Sequence, residues 1–457
     1  MDTYALAVQQ LKKAIENAIE KAITNGELPQ AEAAPFIIET PADRSHGDFA
    51  TNAAMAGAKA CPGFINFFLG TEFYSAVIRE ILANPEAYGR SEYGRDEKVM
   101  VEFVSANPTG PMHMGNARGG ALGDCLAAVL DKAGYNAWRE FYVNDAGNQI
   151  EKFGCSLEAR YLQIFKGDEI EFPEDGYQGE DIKDLAKEYA DLNGDSLVNV
   201  SAEERKKALV DYALPKNIKK MQADMEKYKI FYDKWFFESE LHKSGAVKAV
   251  VDLLTKKGLT YEKEGAVWYK NKEVLTQKLL KEGKSQKYID NLELKDDVLI
   301  RQNGNPTYFT ADIAYHKNKF DRGFTTLIDV WGADHHGHVM RMKGAMDAIG
   351  YDGDKLNVVL MQLVKLVKDG ELVRMSKRTG KAIQLGDLLD EVPVDSARFL
   401  FNTKEANTQM DFDLDLAVSQ DNQNPVYYVQ YAHARICSIF KSLAKEGISP
   451  RECTDAS

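Results

Sequence analysis

Three polar segments of the chain carry residue types that suit phosphate chemistry. The first, Pro108 to Asn116 (PTGPMHMGN), places a histidine two residues before a glycine. The second, Gly332 to His338, reads GADHHGH, and the third, Arg374 to Lys381, reads RMSKRTGK. Histidine and lysine donate to phosphate oxygens, and a helix N-terminus adds free backbone N–H groups and a positive dipole end. We therefore expect a nucleotide-binding turn at His113.

The hydrophobic pattern indicates which elements position these segments. An apolar run from Val99 to Val104 breaks at Asn107-Pro108, and a helical pattern follows Asn116. Further strand-like runs cover residues 137–143, 298–301, 325–331 and 358–367, and helical runs cover residues 311–319 and 339–349. This alternation predicts parallel βαβ units. Because ligands of a doubly wound sheet sit at the carboxyl ends of its strands, the three polar segments can meet there.

Composition narrows the class of protein. The chain has 457 residues, a net charge of -13 and 44% hydrophobic residues, which is typical of a multi-domain globular protein. No apolar run reaches the roughly 20 residues of a membrane helix, so we expect no membrane partner. The five cysteines include no C-x-x-C pair, which fits a cytoplasmic protein without a disulfide framework. The acidic balance argues against non-specific coating of nucleic acid.

We divide the chain into five predicted segments. Residues 1–94 form a small N-terminal α/β domain with helices over 4–24 and 72–82, and residues 95–150 form the first half of an α/β core. Residues 151–290 are charge-rich and read as a mostly helical insertion between two halves of the core sheet. Residues 291–390 form the second half, in which Asp369-Gly370 predicts a hairpin. Residues 391–457 begin a helical domain.

Six phrases in order carry a family resemblance. They are HGDFATN, VEFVSANPTGPMHMGNARGGALGD, FYVNDAGNQI, TYFTADIAYH, WGADHHGH and NPVYYVQYAHARI. His113 to Asn116 resembles the His-x-Gly-His signature of the class I aminoacyl-tRNA synthetases, and Arg374 to Arg378 resembles their Lys-Met-Ser-Lys-Ser loop. Along nearly its whole length the chain is similar to arginyl-tRNA synthetases of bacterial type. The resemblance implies a doubly wound, Rossmann-like catalytic core, with an N-terminal domain that contacts the tRNA elbow.

The resemblance also implies a two-step reaction. The arginine carboxylate attacks the α-phosphate of ATP, which is accompanied by Mg²⁺, and the aminoacyl group then passes to the 3′-terminal ribose of the tRNA. Because the attacking carboxylate is already ionised, the enzyme has to supply positioning and charge stabilisation. His113, Asn116 and Lys377 are the implied catalytic donors. The implied ATP contacts are His113, Gly115, Asn116, Gly332, Asp334, His335, His338, Met375, Ser376 and Lys377.

A guanidinium is a planar fork of donors that suits carboxylates. The implied arginine contacts are Glu102, Ser105, Asn107, Tyr308 and Asp312. Other interpretations stay open: Glu102 could be a surface charge on an edge strand, Tyr308 could be core packing, and His113 could be satisfied by backbone. Asn116 could cap the helix instead of contacting ATP.

Several points depart from the family pattern or stay undecided. Asn116 stands where the general signature has histidine, and Arg374 stands where the loop has lysine. The residue that contacts pyrophosphate is therefore undecided, and Lys365 and Lys381 are the candidates. The stretch from Met55 to Cys61 is short, and we expect the C-terminal helical domain to be incomplete. A zinc pair at His335 and His338 lacks further ligands, so we expect no structural metal.

We also expect a monomer. Two other functions are alternatives to the synthetase. A small-molecule nucleotidylyltransferase of the same fold would be a shorter chain. A non-catalytic RNA-binding relative would usually lose His113 or Lys377, and both are present.

Overall fold

The computed structural model describes residues 3–28, 35–54, 63–373 and 383–449. These residues form two compact units. The first takes the described residues within Met1–Arg95, Lys132–Gly134 and Ser438–Ser457, and the second takes those within Asp96–Asp131 and Tyr135–Cys437.

The first unit combines two helices with a small antiparallel sheet. Its elements are α1 (Thr3–Thr24), β1 (Ile38–Glu39), β2 (Phe49–Thr51), β3 (Ile65–Phe67) and α2 (Thr71–Ala83). The strand order is β1-β2-β3. The rings of Tyr4 on α1 and Phe49 on β2 lie 5.1 Å apart between centroids, so the helix packs on the sheet. The two helices predicted here are confirmed.

The second unit is larger and mixes strands and helices throughout. Its elements as far as residue 256 are β4 (Lys98–Glu102), α3 (Met114–Lys132), β5 (Asn136–Val143), α4 (Asn148–Lys166), α5 (Glu180–Asn193), α6 (Ala202–Lys227), β6 (Lys234–Phe237), α7 (Glu238–Lys243) and α8 (Ala246–Lys256). The next are β7 (Thr260–Lys263), β8 (Ala266–Tyr269), α9 (Asn271–Lys281), α10 (Gln286–Asn291), β9 (Asp297–Ile300), α11 (Tyr308–Asp321), β10 (Thr326–Gly332) and α12 (His336–Ile349). The last are β11 (Leu356–Met361), β12 (Val364–Lys368), β13 (Glu371–Leu372), α13 (Leu385–Glu391), α14 (Val394–Phe401), β14 (Met410–Asp413), α15 (Leu414–Val418) and α16 (Pro425–Lys445), the last of which belongs to this unit only as far as Cys437.

A five-stranded parallel sheet organises this unit. Its strand order is β11-β10-β4-β5-β6, which confirms the predicted doubly wound α/β core. From β4 the chain crosses over to β5 on one side, whereas from β10 it crosses over to β11 on the other. The order therefore reverses between β4 and β10, and a ligand crevice is expected at their carboxyl ends.

Three details of the predicted core were wrong. Strand β6 lies within residues 151–290, the predicted insertion between the two halves of the core sheet, yet it pairs with β5 at the edge of that sheet. Strand β9 was expected in the core but pairs antiparallel with β8 in a separate three-stranded sheet with β7. The run 358–367 is two strands: β11 ends the core sheet, and β12 pairs with β14 in another sheet.

Other local features follow the sequence closely. The predicted hairpin is confirmed, because β12 and β13 pair antiparallel around Asp369 and Gly370, whose φ angles are 54° and 74°. A Cβ atom on Gly123 would lie 2.2 Å from the ring of Phe103, so a glycine at this position lets α3 pack closely on the core. Across the described ranges, we find no helix whose length and apolar character would allow it to span a membrane.

Candidate active site

A cavity of about 860 Å³ opens at the carboxyl ends of β4 and β10. It is lined by residues of the first and second predicted polar segments, which the structure describes, and by residues of α11. The predicted site residues that line it are Glu102, Ser105, Asn107, His113, Asn116, Tyr308, Asp312, Gly332, Asp334, His335 and His338. Met375, Ser376 and Lys377 lie outside the described residues, as does Lys381.

The first signature forms a reciprocal cap on α3. The helix begins at Met114, and the side-chain Oδ1 of Asn116 accepts from the backbone N–H of His113 at 2.9 Å. In return, the imidazole Nδ1 of His113 accepts from the backbone N–H of Gly115 at 3.1 Å. This arrangement satisfies N–H groups at the helix start as a capping box does. A Cβ atom on Gly115 would lie 2.9 Å from the imidazole Cε1, so only glycine leaves the ring its place.

The cap also fixes the chemistry of the imidazole. Because Nδ1 accepts a hydrogen bond, the proton of the neutral ring sits on Nε2. Desolvation lowers the pKa of His113, which favours this neutral form. The interpretation of His113 as a histidine satisfied by backbone therefore holds for Nδ1. Its Nε2–H remains a donor, and the residue lines the cavity.

Backbone hydrogen bonds join the signature turn to residues that follow the third polar segment. The backbone N–H of Met114 donates to the carbonyl of Ile383 at 3.2 Å, and that of Leu385 donates to the carbonyl of Met112 at 2.8 Å. Residues 383–385 come shortly after the third polar segment in the sequence, so the described chain that follows this segment lies beside the first signature.

A row of three acidic residues crosses the sheet beneath the cavity. In the strand register Asp329 on β10 pairs with Glu102 on β4, which pairs with Glu140 on β5. Glu102 is 6% exposed and the other two are fully buried. Neighbouring strands present paired residues on the same face, so the three like charges require compensation. The interpretation of Glu102 as a surface charge on an edge strand is wrong, because β4 is the central strand.

Helix α11 and the residue just beyond it supply that compensation. The ammonium of Lys319 contacts Glu102 Oε2 and lies 2.8 Å from Asp329 Oδ1. His316 Nε2 lies 2.7 Å from Asp329 Oδ2. Arg322 donates to both carboxylate oxygens of Glu140 at 2.6 and 2.7 Å. The contacts of Lys319, His316 and Arg322 hold α11 and the residue that follows it against the sheet, directly under the cavity.

The turn after β4 aims Glu102 and Ser105. Ser105 Oγ donates to Glu102 Oε1 at 2.7 Å and accepts from the backbone N–H of Tyr142 at 3.1 Å. Val104 and Ser105 have φ angles of 70° and 36°, which are costly for residues other than glycine and especially for a β-branched valine. The turn is therefore held in a strained conformation by its surroundings.

The start of α11 contributes a second carboxylate and a phenol. Asp312 Oδ2 lies 3.1 Å from His338 Nε2, and both residues line the cavity. Tyr308 is 39% exposed, and partial burial raises the pKa of its hydroxyl. The interpretation of Tyr308 as core packing is wrong, since its side chain borders the open cavity.

The second predicted segment follows β10. Gly332 ends the strand, and Asp334 and His335 lie in the short 3₁₀ turn before α12 with largely exposed side chains. His338 is instead engaged with Asp312 and stacks at a tilt on Trp331. Within the described ranges, histidine, cysteine and acidic side chains form no group of three or more that could hold a metal ion.

Sequence reasoning missed Glu238, a further carboxylate, which interacts with the cavity-lining residue Tyr142. It is 3% exposed and follows β6 directly. Burial raises its pKa, while the hydrogen bond from His242 opposes that rise. Glu238 also helps to raise the pKa of Tyr142, which lines the cavity. Had residues 234–237 been recognised as a core strand, the rule that ligand groups follow parallel strands would have indicated Glu238.

Comparison with protein families identifies the class of protein to which this site belongs. Residues 77–437 match the family described as tRNA synthetases class I (R), catalytic domain. The chain therefore belongs to the class I tRNA synthetases. Residues 9–62 match the arginyl tRNA synthetase N-terminal domain, so within that class it is a member of the arginyl-tRNA synthetase family.

Individual relatives agree with this assignment. A Ruminiclostridium cellulolyticum protein named arginine–tRNA ligase is 53% identical over 96% of this chain and 80% of its own length. One with the same name from Acetivibrio thermocellus is 52% identical over 96% of this chain and 80% of its own length. The solved structure of a Campylobacter jejuni chain assigned to the arginyl-tRNA synthetases is 37% identical, covers 83% of this chain and 78% of that one, and has a TM-score of 0.71. Thermus thermophilus arginyl-tRNA synthetase, 21% identical with a TM-score of 0.65, shares the fold over 96% of this chain and 83% of that one.

Proposed function

We propose that this chain is an arginine–tRNA ligase that first joins arginine to ATP and then transfers it to tRNA. The observation that carries the proposal is one cavity bordered both by buried acidic groups and by the imidazole of the signature turn. Glu102 and Asp312 suit a guanidinium, and His113 suits a phosphate. The family assignment supports the same pair of substrates.

In the first step the arginine carboxylate attacks the α-phosphate of ATP, the bond to the bridging oxygen breaks, and pyrophosphate leaves. No proton has to be removed from the nucleophile, so the protein supplies position and charge stabilisation. We assign His113 Nε2–H to the phosphate oxygens. The backbone N–H groups at the start of α3, Gly115 among them, add the positive end of the helix dipole. ATP brings its Mg²⁺ as part of the substrate.

Arginine is bound at the acidic end of the cavity. Glu102, Asp312 and Tyr308 receive the guanidinium donors, Ser105 holds Glu102 in place, and Asn107 receives the α-amino group. Gly332 and Asp334 meet the ribose of ATP, where the glycine permits close approach and the carboxylate accepts from ribose hydroxyls. His335 and His338 line the same site.

Asn116 and the loop residues Met375, Ser376 and Lys377 complete the ATP contacts by resemblance to the family. In the second step the terminal ribose hydroxyl of tRNA attacks the arginyl carbonyl, and AMP leaves. We further propose that the chain works as a cytoplasmic monomer, because a single chain supplies both ends of the cavity. Light scattering coupled to size-exclusion chromatography measures the oligomeric state.

The test is ATP–pyrophosphate exchange with a panel of amino acids, with and without tRNA. The family generally needs tRNA for activation, so exchange is expected with arginine in the presence of its tRNA and not with lysine or citrulline. Exchange with another amino acid but not with arginine would overturn the substrate assignment. Exchange with a small-molecule acid in place of any amino acid would favour a nucleotidylyltransferase, and binding of tRNA with no exchange would favour a non-catalytic RNA-binding protein.

A further inference from the structure

Lys319 is an unusual residue for the floor of a pocket that receives a cation. Its side chain is fully buried, on the same face of α11 as Asp312, Tyr315 and His316, which all line the cavity. Its ammonium lies over the ring of Tyr315, 4.5 Å from the centroid, and contacts Glu102 and Asp329. A buried ammonium without ion-pair partners would be costly in free energy, so Lys319 needs the two carboxylates as its partners.

The hydrogen bonds divide unequally between the two carboxylates. Asp329 has a partner on each oxygen, Lys319 on Oδ1 and His316 on Oδ2. Glu102 has Lys319 on Oε2 and only the neutral hydroxyl of Ser105 on Oε1. Among the ion pairs of the described chain, Lys319 is the one cation that contacts Glu102. Glu102 therefore depends on this ammonium whenever the cavity holds no guanidinium.

We propose that Lys319 is the resident counter-ion of the arginine pocket: its ammonium keeps the Glu102 carboxylate ionised and aimed at the cavity before substrate arrives. The inference rests on the proposed function, because it takes arginine as the ligand of Glu102. It assigns Lys319 as a positioning residue that acts through Glu102 without touching substrate. Its consequence is that arginine binds without exchange of a proton between protein and solvent.

The charges around Glu102 support this reading. Burial raises the pKa of Glu102 above its ordinary value even beside Lys319, and the Lys319 ammonium is the largest influence that limits this rise. Without that ammonium, Glu102 would take up a proton in the empty pocket and would have to release it when a guanidinium binds. The other titratable groups that face Glu102 are its strand neighbours Asp329 and Glu140, and beyond them His316, Tyr142, Tyr232 and Tyr315. Burial raises the pKa of all three tyrosines, so they stay neutral.

The experiment is titration calorimetry of arginine into the full chain at pH 7.5, in buffers of different ionisation enthalpy. Saturable heat with the unchanged chain tests arginine as ligand and so tests the proposed function. The dependence of that heat on the buffer counts protons and tests the role of Lys319. For the unchanged chain we expect no dependence on the buffer. Release approaching one proton would overturn the inference even while arginine binding upheld the function.

Three variants sharpen the result. Lys319→Met is expected to weaken arginine binding at least about tenfold, to release close to one proton, and to regain affinity by up to about tenfold per pH unit on the alkaline side. Lys319→Arg keeps the charge and is expected to bind without proton release. Lys317→Met is the matched control, because Lys317 lies on the same helix but pairs with Asp321 at the surface.

Unchanged affinity and unchanged proton count in Lys319→Met would refute the counter-ion role. Should Lys319→Met fail to fold, as judged by circular dichroism, the proton count of the unchanged chain and of Lys319→Arg still decides. Proton release by both of these proteins would count against the inference.

Discussion

Asn116 and His113 cap the first turn of α3 from opposite directions. The Asn116 amide oxygen accepts from the His113 backbone, and the His113 imidazole accepts from the backbone one residue before Asn116. The orientation of the histidine ring is thus set by the start of the helix. This relationship makes the signature turn a single unit, and its parts can be tested separately.

Gly115→Ala should displace the imidazole without removing it. The added Cβ would lie 2.9 Å from Cε1 and 3.0 Å from Nδ1 of His113, closer than such atoms approach. We expect kcat of pyrophosphate exchange to fall at least about tenfold, with KM for arginine within about twofold of its original value. Gly119→Ala is the control on the same helix, because its Cβ would meet Met361 at an ordinary 3.6 Å. Equal losses in both variants would contradict the ring displacement.

Two substitutions separate the capping role of Asn116 from an ATP contact. Asn116→Ala removes the acceptor for the His113 N–H and should cost about 1 kcal/mol of stability in thermal unfolding. Asn116→Asp keeps an acceptor and should restore that stability. If the amide N–H₂ also donates to ATP, Asn116→Asp should raise KM for ATP while it stays as stable as the unchanged chain. Full activity of the aspartate variant would leave Asn116 with the capping role alone.

The pH profile should report the neutral imidazole. Desolvation holds the pKa of His113 below its ordinary value near 6.5, so the folded protein loses its neutral ring only when the pH falls below that range. Protonation would place a hydrogen on Nδ1, facing the N–H of Gly115, and would break the cap. We expect kcat at saturating substrates to be flat from about pH 8 to about pH 6.5 and to fall below it. A kcat that rises on acidification would indicate that the charged ring is the active form.

Asp312→Asn should weaken arginine far more than ATP. The carboxylate is partly exposed and paired with His338, so loss of one charged hydrogen-bond partner should cost about 1.5–3 kcal/mol, or roughly 10–100-fold in KM for arginine. Asp321→Asn, at the far end of the same helix, is the control. Similar rises in KM for arginine and for ATP would remove Asp312 from the guanidinium site.

The sequence located the polar site well because its residues lie in short contiguous phrases. Glu102, Ser105, Asn107, His113 and Asn116 all fall within one strand–turn–helix unit, and the strand rule places such a unit at the crevice. Gly332 to His338 follow another strand of the same sheet. Their presence around one cavity could therefore be predicted, whereas their individual roles in binding stay predictions.

Long-range partners could not be predicted in the same way. Lys319 and Glu102 are 217 residues apart, and a lysine on a helix reads as a surface charge until the register of β4 against β10 is known. Strand β6 was missed because its four residues lie within a helical, charge-rich stretch. Strand β9 was placed in the wrong sheet because a short apolar run does not reveal its partner strand.

The strained turn at Val104 and Ser105 has a consequence for protein engineering. Replacing such left-handed residues by glycine is a common way to gain stability, because glycine adopts these angles freely. At this turn the gain would come at the expense of rigidity, since Ser105 fixes the Glu102 carboxylate only while the backbone is held still. A thermostable variant chosen by melting temperature alone would therefore be liable to discriminate less sharply between arginine and its uncharged analogues.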